Sequence, residues 1–404
     1  MRVAATLLCL VASAAQAELA PETLGRSERV ARPEPHWTFY LDFQLANFQG
    51  RYVLIDGDDV EYLAHLSAGQ FPSLAIAPDA SEVYVAETTY AYGSRGERHD
   101  FVTVYDTTDY AAQDHITLPT GRRALMASRQ RMTLLGDPRF LAIYNYRPAT
   151  SVSLVDLKSR VHLSETPVPG CHLLYATGPR GVSMLCGDGS MLTLRFDEHG
   201  VLAGQERGEP FFDPDADPIK TNAARIGQSW YFVSYAGDVY PVDAAGERPV
   251  FGEPWALVDH DVEEAGWIRA LLSGGKAGPW KPGGMQLAAG HTGRKELYVL
   301  MHPTFWSGGL GDHDFPGAEV WVFDVARRER LRVIELRGVG TSLNVSPDAE
   351  PLLFVAGVEL DTEEQGLEIY DAQSGEFLRE MHEYGDAILG FRPFPAAAFA
   401  GEER

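Results

Sequence analysis

Apolar and polar positions alternate along this chain in short runs, and one run recurs. It is a tetrad of β-branched, aliphatic or aromatic residues that closes on aspartate. Val53-Leu54-Ile55-Asp56 is the first copy, and six more end at Asp106, Asp156, Asp197, Asp243, Asp324 and Asp371. The steps from Asp to Asp are 50, 50, 41, 46, 81 and 47 residues. Each copy reads as a strand that ends at a turn-forming Asp, followed by a polar turn and another alternating strand. A Pro-Asp turn between two strands precedes some copies, as at Pro78-Asp79 and Pro347-Asp348. The unit is therefore four antiparallel strands, and a period of about 40 to 50 residues is that of propeller blades.

The pattern predicts an all-β fold, a seven-bladed β-propeller of four-stranded antiparallel blades. The alternative is an array of β-sandwiches with chance likeness between strands. Ring closure is expected to pair the strand near 37–42 with a late strand near 387–391. The 81-residue step holds either an eighth blade or an insertion. The segment 254–284 favours an insertion, with a short helix near 262–272 and a Gly/Pro-rich tail. The glycine pair in Trp280-Lys281-Pro282-Gly283-Gly284 reads as a turn with close backbone approach.

Composition narrows the class. The chain has 404 residues, with 45% apolar and 23% charged side chains, which is globular usage. Its formal net charge of −23 argues against nucleic acid and against a polybasic membrane anchor. At the N-terminus, Arg2 precedes an apolar run over 3–12, and Ala15-Gln16-Ala17 forms a small-x-small cleavage pattern. Residues 1–17 read as a signal peptide, which implies export to the periplasm. A buried N-terminal strand or helix is the alternative. Residues 18–404 then form one propeller, with an N-terminal arm over about 18–36.

Cys9 leaves with the signal, so Cys171 and Cys186 remain. An even pair in an exported chain reads as one internal disulfide, with two free thiols as the alternative. Residues that could carry chemistry are sparse. Asp312-His313-Asp314 and Asp259-His260-Asp261 could bind a metal, but each reads better as a solvated loop or the acidic first turn of a helix. His302 follows a strand and reads as a packed or hydrogen-bonded residue. Neither a nucleophile elbow nor a phosphate loop is present.

Several ordered stretches resemble a known family. They are Thr88 through Asp106, Pro148 through Asp156, Gly170-Cys171 with Cys186-Gly187-Asp188-Gly189, Trp280 through Gly284, and Asn344-Val345-Ser346. From about Tyr52 to the C-terminus the chain resembles the heavy subunit of quinoprotein amine dehydrogenases. Phe232 through Tyr240, Met301-His302-Pro303 and Phe315 through Trp321 look more like the aralkylamine (aromatic amine) branch than the methylamine branch. The chain departs from the family around 271–279, at 304–314 and before Trp37.

The resemblance implies a seven-bladed heavy subunit paired with a small, disulfide-rich light subunit in an α2β2 heterotetramer. It implies that the light subunit carries the cofactor, tryptophan tryptophylquinone. A primary amine forms a Schiff base there, and aldehyde and ammonia are released. Electrons then pass to a cupredoxin of the azurin or amicyanin type. No catalytic, cofactor-binding or metal residue is expected in this chain. The resemblance places one side chain, Phe71, on the substrate channel, with a blade-core Phe packed on Leu74 and Ile76 as the alternative. Two other functions stay open: a stand-alone exported hydrolase of the lactonase type, and an interaction propeller without redox chemistry.

Overall fold

The structure is a computed structural model that describes residues 29–44, 49–119, 121, 123, 128–259, 279–304, 315–358, 365–382 and 388–400. The proposed signal peptide and the 262–272 helix lie outside these residues. The rest is almost entirely antiparallel β-structure, with two short 3-10 turns at Arg129–Arg131 and Ala396–Phe399.

The repeat unit is a meander of four strands. In one unit Cys171–Thr177, Gly181–Cys186, Met191–Phe196 and Leu202–Arg207 pair in sequence order. All seven Asp-terminated tetrads occupy third strands of such meanders, and each Asp makes the same local contact. Its Oδ1 accepts the backbone N–H two residues on: Asp56 from Asp58 (2.7 Å), Asp106 from Thr108 (2.7 Å), Asp156 from Lys158 (2.9 Å) and Asp197 from His199 (2.8 Å). Ala245 donates to Asp243 (2.9 Å), Ala326 to Asp324 (2.8 Å) and Gln373 to Asp371 (2.9 Å). The carboxylate thus caps the turn into the fourth strand, as short acidic side chains do.

Two long strands join neighbouring sheets. Glu61–Ile76 pairs first with Gln49–Asp56 and then, beyond Gln70, with Glu82–Tyr92. Glu329–Val345 makes the same change, from Gly317–Asp324 to Leu352–Val358. Both bends carry a glycine where a side chain would not fit, against backbone at Gly69 and against packed side chains at Gly340. A Cβ on Gly69 would lie 2.4 Å from the Thr88 carbonyl oxygen, and one on Gly340 would lie 2.7 Å from the Val355 side chain. The ends of the chain meet in one sheet: Trp37–Gln44 pairs antiparallel with Ile388–Pro393, Tyr40 opposite Phe391.

The apolar core lies between sheets rather than in one layer. Tyr175 packs edge-on against Phe232 at 4.9 Å and Trp230 at 5.4 Å, across two adjacent units. The long step between Asp243 and Asp324 contains no additional four-stranded sheet among the described residues. Instead, Trp255–Ala256 and Trp280–Pro282 add short strands to sheets already present. A Cβ on Gly283 would meet the Phe315 carbonyl at 2.3 Å, the close approach that the glycine pair predicted.

A polar clasp holds the N-terminal segment. His36 Nδ1 lies 2.7 Å from Asp58 Oδ2, and its Nε2 lies 3.2 Å from Asp348 Oδ2. Burial pulls the His36 pKa down, but the bonds and charges of Asp348 and Asp58 outweigh it and push it up to about 9. Burial raises the Asp348 pKa, and the bonds from His36 and Ser346 reverse that, to about 2.

A raised folded pKa gives stability that is fully present below the unfolded value and fades as pH climbs through the folded one. The clasp should therefore weaken between about pH 6.5 and 9. The Asp348 contribution runs the other way and is lost as pH falls from 3.8 through about 2. Unfolding free energy should drop by on the order of 2 kcal/mol from pH 6.5 to 9.5, allowing for the half-exposed Asp58. In His36→Ala that drop should vanish. Urea titrations at the two pH values test it, and an equal slope in both proteins would refute the clasp.

Candidate functional site

Phe71 sits on the first bend, just past the point where the long strand leaves one sheet for the next. The register shifts between Gln70 and Ser73, and Phe71 has a φ of 54°, in the left-handed region. For a bulky residue this costs about 1–2 kcal/mol and persists only where the surroundings impose it. Here they do. The Phe71 carbonyl accepts a 2.6 Å bond from Arg123 Nη2, and Arg123 is almost wholly buried.

Arg123 is itself held from several sides. Arg98 Nη2 donates to the Arg123 carbonyl, and Arg98 is paired with Asp100 at 3.0 Å. Asp100 also accepts from the Thr88 hydroxyl (2.6 Å) and the Gly121 N–H (2.6 Å). On the other side of the bend, Glu87 accepts from the Gly69 N–H at 2.6 Å and the Thr103 hydroxyl at 2.5 Å. Burial raises the Glu87 pKa, while Thr103, Gly69 and Arg123 oppose that rise. Burial also brings Arg123 down, to about 10, against the pull of Asp100 and Glu87.

This platform contains Thr88, Arg98, Asp100 and Thr103. All four belong to the stretch 88–106, one of the stretches that carry the family resemblance. The partners Glu87 and Arg123 were not legible, because they come from outside that stretch. Phe71 itself is partly buried.

Cys171 and Cys186 face each other across the first two strands of their sheet, with Cα atoms 4.0 Å apart, and are disulfide-bonded. Both are buried. Residues 260–278 and 305–314 lie outside the described residues, and with them His260, Asp261 and the Asp312-His313-Asp314 triplet. Among the described residues, no three His, Cys, Asp or Glu side chains gather as metal ligands. His302 is fully buried against Phe315, with ring centres 5.0 Å apart, so it is a packed residue.

The sequence matches the methylamine dehydrogenase heavy chain family over residues 41–389. The chain belongs to that family. Curated relatives agree. The methylamine dehydrogenase heavy chain of Paracoccus versutus is 30% identical over 335 residues, covering 82% of this chain and 73% of its own. That of Methylophilus methylotrophus is 27% identical, covering 82% of this chain and 77% of its own.

Among solved structures, the β-propeller domain of Cps50 (Swd1) from Myceliophteria thermophila superposes with a TM-score of 0.50. It is 10% identical, with 86% of this chain and 99% of that one covered. A putative 6-phosphogluconolactonase from Bacteroides fragilis reaches a TM-score of 0.55 at 10% identity, covering 88% of this chain and 97% of that one. At such identity these two report a propeller-like fold and nothing about activity. As a methylamine dehydrogenase heavy chain family member, the protein is an amine-dehydrogenase heavy subunit. Heavy chains work with a light subunit.

Proposed function

We propose that this chain is the noncatalytic heavy subunit of a periplasmic, tryptophan tryptophylquinone-dependent amine dehydrogenase. It would oxidatively deaminate primary amines and pass electrons to a cupredoxin. The observation that carries the reading is the family match across nearly the whole described fold. In this reading the seven Asp-capped meanders close into a seven-bladed ring. The pairing of the terminal strands and the two bent linking strands support that closure. The quinone of the light subunit supplies the oxidation, and the assembly is an α2β2 heterotetramer. The N-terminal signal pattern and the disulfide support the periplasm.

Within that assembly this chain has two tasks. It holds the light subunit, and it shapes the path of the amine through Phe71. A rigid aromatic ring on an imposed backbone bend suits a channel wall, because its position does not relax with the substrate. The named relatives are methylamine dehydrogenase heavy chains, which supports a small amine.

The reading as an aralkylamine enzyme, with methylamine as the alternative substrate, rests on the stretches Phe232 through Tyr240, Met301-His302-Pro303 and Phe315 through Trp321. Co-purification of the tagged chain from its host tests the whole reading. A small Cys-rich subunit with quinone absorbance should come with it; a chain that comes alone would count against the proposal. In the assembled enzyme, Phe71→Ala should change the ratio of kcat/KM for methylamine and 2-phenylethylamine by about tenfold. An unchanged ratio removes Phe71 from the channel.

A further inference from the structure

First strands of six sheet units border one cavity. A cavity of about 170 Å³ is lined from Met132–Leu134, Cys171–Thr177, Ala224–Ile226, Ala288–His291, Glu329–Val345 and Ile388–Pro393. This is the centre of the sheet array, and its wall chemistry is opposite to that of the molecule. The chain carries a net charge of −23, yet among the described residues the cavity is lined by Arg129, Arg225 and Arg392 and by no carboxylate.

Arg225 is committed elsewhere. Its guanidinium reaches the Gly227 carbonyl at 3.2 Å and the Gln228 side chain at 3.1 Å, and it stacks over Trp230. Arg129 and Arg392 are not so committed. Arg392 Nη2 donates to the Arg129 carbonyl at 2.6 Å, which fixes the two residues side by side. Arg129 Nε is buried with no hydrogen-bond partner. Neither guanidinium meets a carboxylate among the described residues, and each retains N–H groups without a protein acceptor.

Two adjacent, largely buried cations repel, and unpaired charge drawn out of water is costly unless an opposite charge answers it. The burial of Arg129 and the charge of Arg392 push its pKa well down, and burial brings Arg392 to about 10. We propose that the axial cavity is a binding site for one phosphate-sized oxyanion, held by the guanidinium groups of Arg129 and Arg392. A guanidinium fork matches the oxygen spacing of such an anion and gives short, charge-assisted bonds. The volume equals roughly five to six waters, which leaves room for an oxyanion with a few waters but not for a nucleotide.

The site is independent of the amine-oxidation reading, since it uses neither Phe71 nor a light-subunit contact. The test is calorimetric titration of the purified full chain, in the assembly in which it is isolated and freed of phosphate, with inorganic phosphate at constant ionic strength. One saturable site per chain is expected, together with a rise of several degrees in melting temperature over an equal ionic strength of chloride. Arg129→Gln and Arg392→Gln should each weaken phosphate by about tenfold or more, the loss of one charged hydrogen-bond set.

Sulfate should compete, because the recognition is of tetrahedral oxyanion charge. Absence of saturable binding, or undiminished binding in the double variant, overturns the proposal. Should the variants fail to fold, the wild-type protein still decides: equal melting temperatures in phosphate and chloride refute the site.

Discussion

Produced without a partner subunit, the chain is expected to fold, to show no quinone absorbance and to oxidise no primary amine. Folding alone is expected because the N- and C-terminal strands pair with each other within this chain, Trp37–Gln44 with Ile388–Pro393, rather than with another polypeptide. Inactivity follows from what the side chains are engaged in. Cys171 and Cys186 are disulfide-bonded, which removes two thiol nucleophiles.

The indole N–H groups of Trp37, Trp230 and Trp321 are bonded to Asp56, the Ala176 carbonyl and Glu319. Trp280 and Trp321 approach to 5.6 Å between ring centres, but Arg330 covers Trp321 at 4.1 Å. Addition of the light subunit should bring both absorbance and turnover. The measurement is the visible spectrum and a dye-linked amine assay before and after mixing. Turnover by the lone chain would sink the scaffold reading and direct attention to the Trp280–Trp321 pair.

Arg332→Leu should cost about 3–5 kcal/mol in unfolding free energy, the largest stability effect we expect from one side chain. Glu296 is almost completely buried and is held by a forked ion pair, Arg332 Nη2 to Oε2 at 2.7 Å and Nη1 to Oε1 at 3.2 Å. The Tyr298 hydroxyl donates to the same carboxylate at 2.6 Å, and Arg294 lies 3.2 Å away. Arg332 also reaches the Ala372 carbonyl at 2.9 Å through Nε, tying this unit to the last one.

Burial would raise the Glu296 pKa, but the bonds from Arg332, Tyr298 and Arg294 hold it down at about 2. Without Arg332 a buried carboxylate keeps only part of its compensation. The remaining Arg294 contact places the cost toward the lower end. Replacing both partners, Arg332→Leu with Glu296→Leu, should recover much of the loss, because no charge is then stranded. Urea unfolding of the single and double variants measures it. A single variant within 1 kcal/mol of wild type would show that the pair is not what stabilises this junction.

Much of the fold was legible because its rules are local. The contact from Asp371 to the Gln373 N–H spans two residues, and it is written in the same way at each of the seven tetrads. Alternation along 320–324 or 367–371 states which side chains face the neighbouring sheet. The disulfide was legible for a similar reason, since its cysteines close a single hairpin.

The site was legible only in part. Phe71 came from resemblance to a family, and nothing in its neighbours announced a left-handed backbone. The 81-residue step shows the same limit. Spacing alone could not say whether it held a blade, whereas pairing of Trp255–Ala256 and Trp280–Pro282 with existing sheets settles where its described ends go.

By itself the sequence determined the repeating strand, its Asp-capped turn, the hairpin disulfide and the family. Each depends on residues a few positions apart, where backbone geometry leaves few choices. Tertiary structure alone decided that Arg123 would lock the Phe71 carbonyl from 52 residues away. It also decided that Arg392 would lie against Arg129, 263 residues earlier. Such meetings depend on how the sheets bend and stack around the centre, and that geometry is a sum over many contacts that no short stretch encodes.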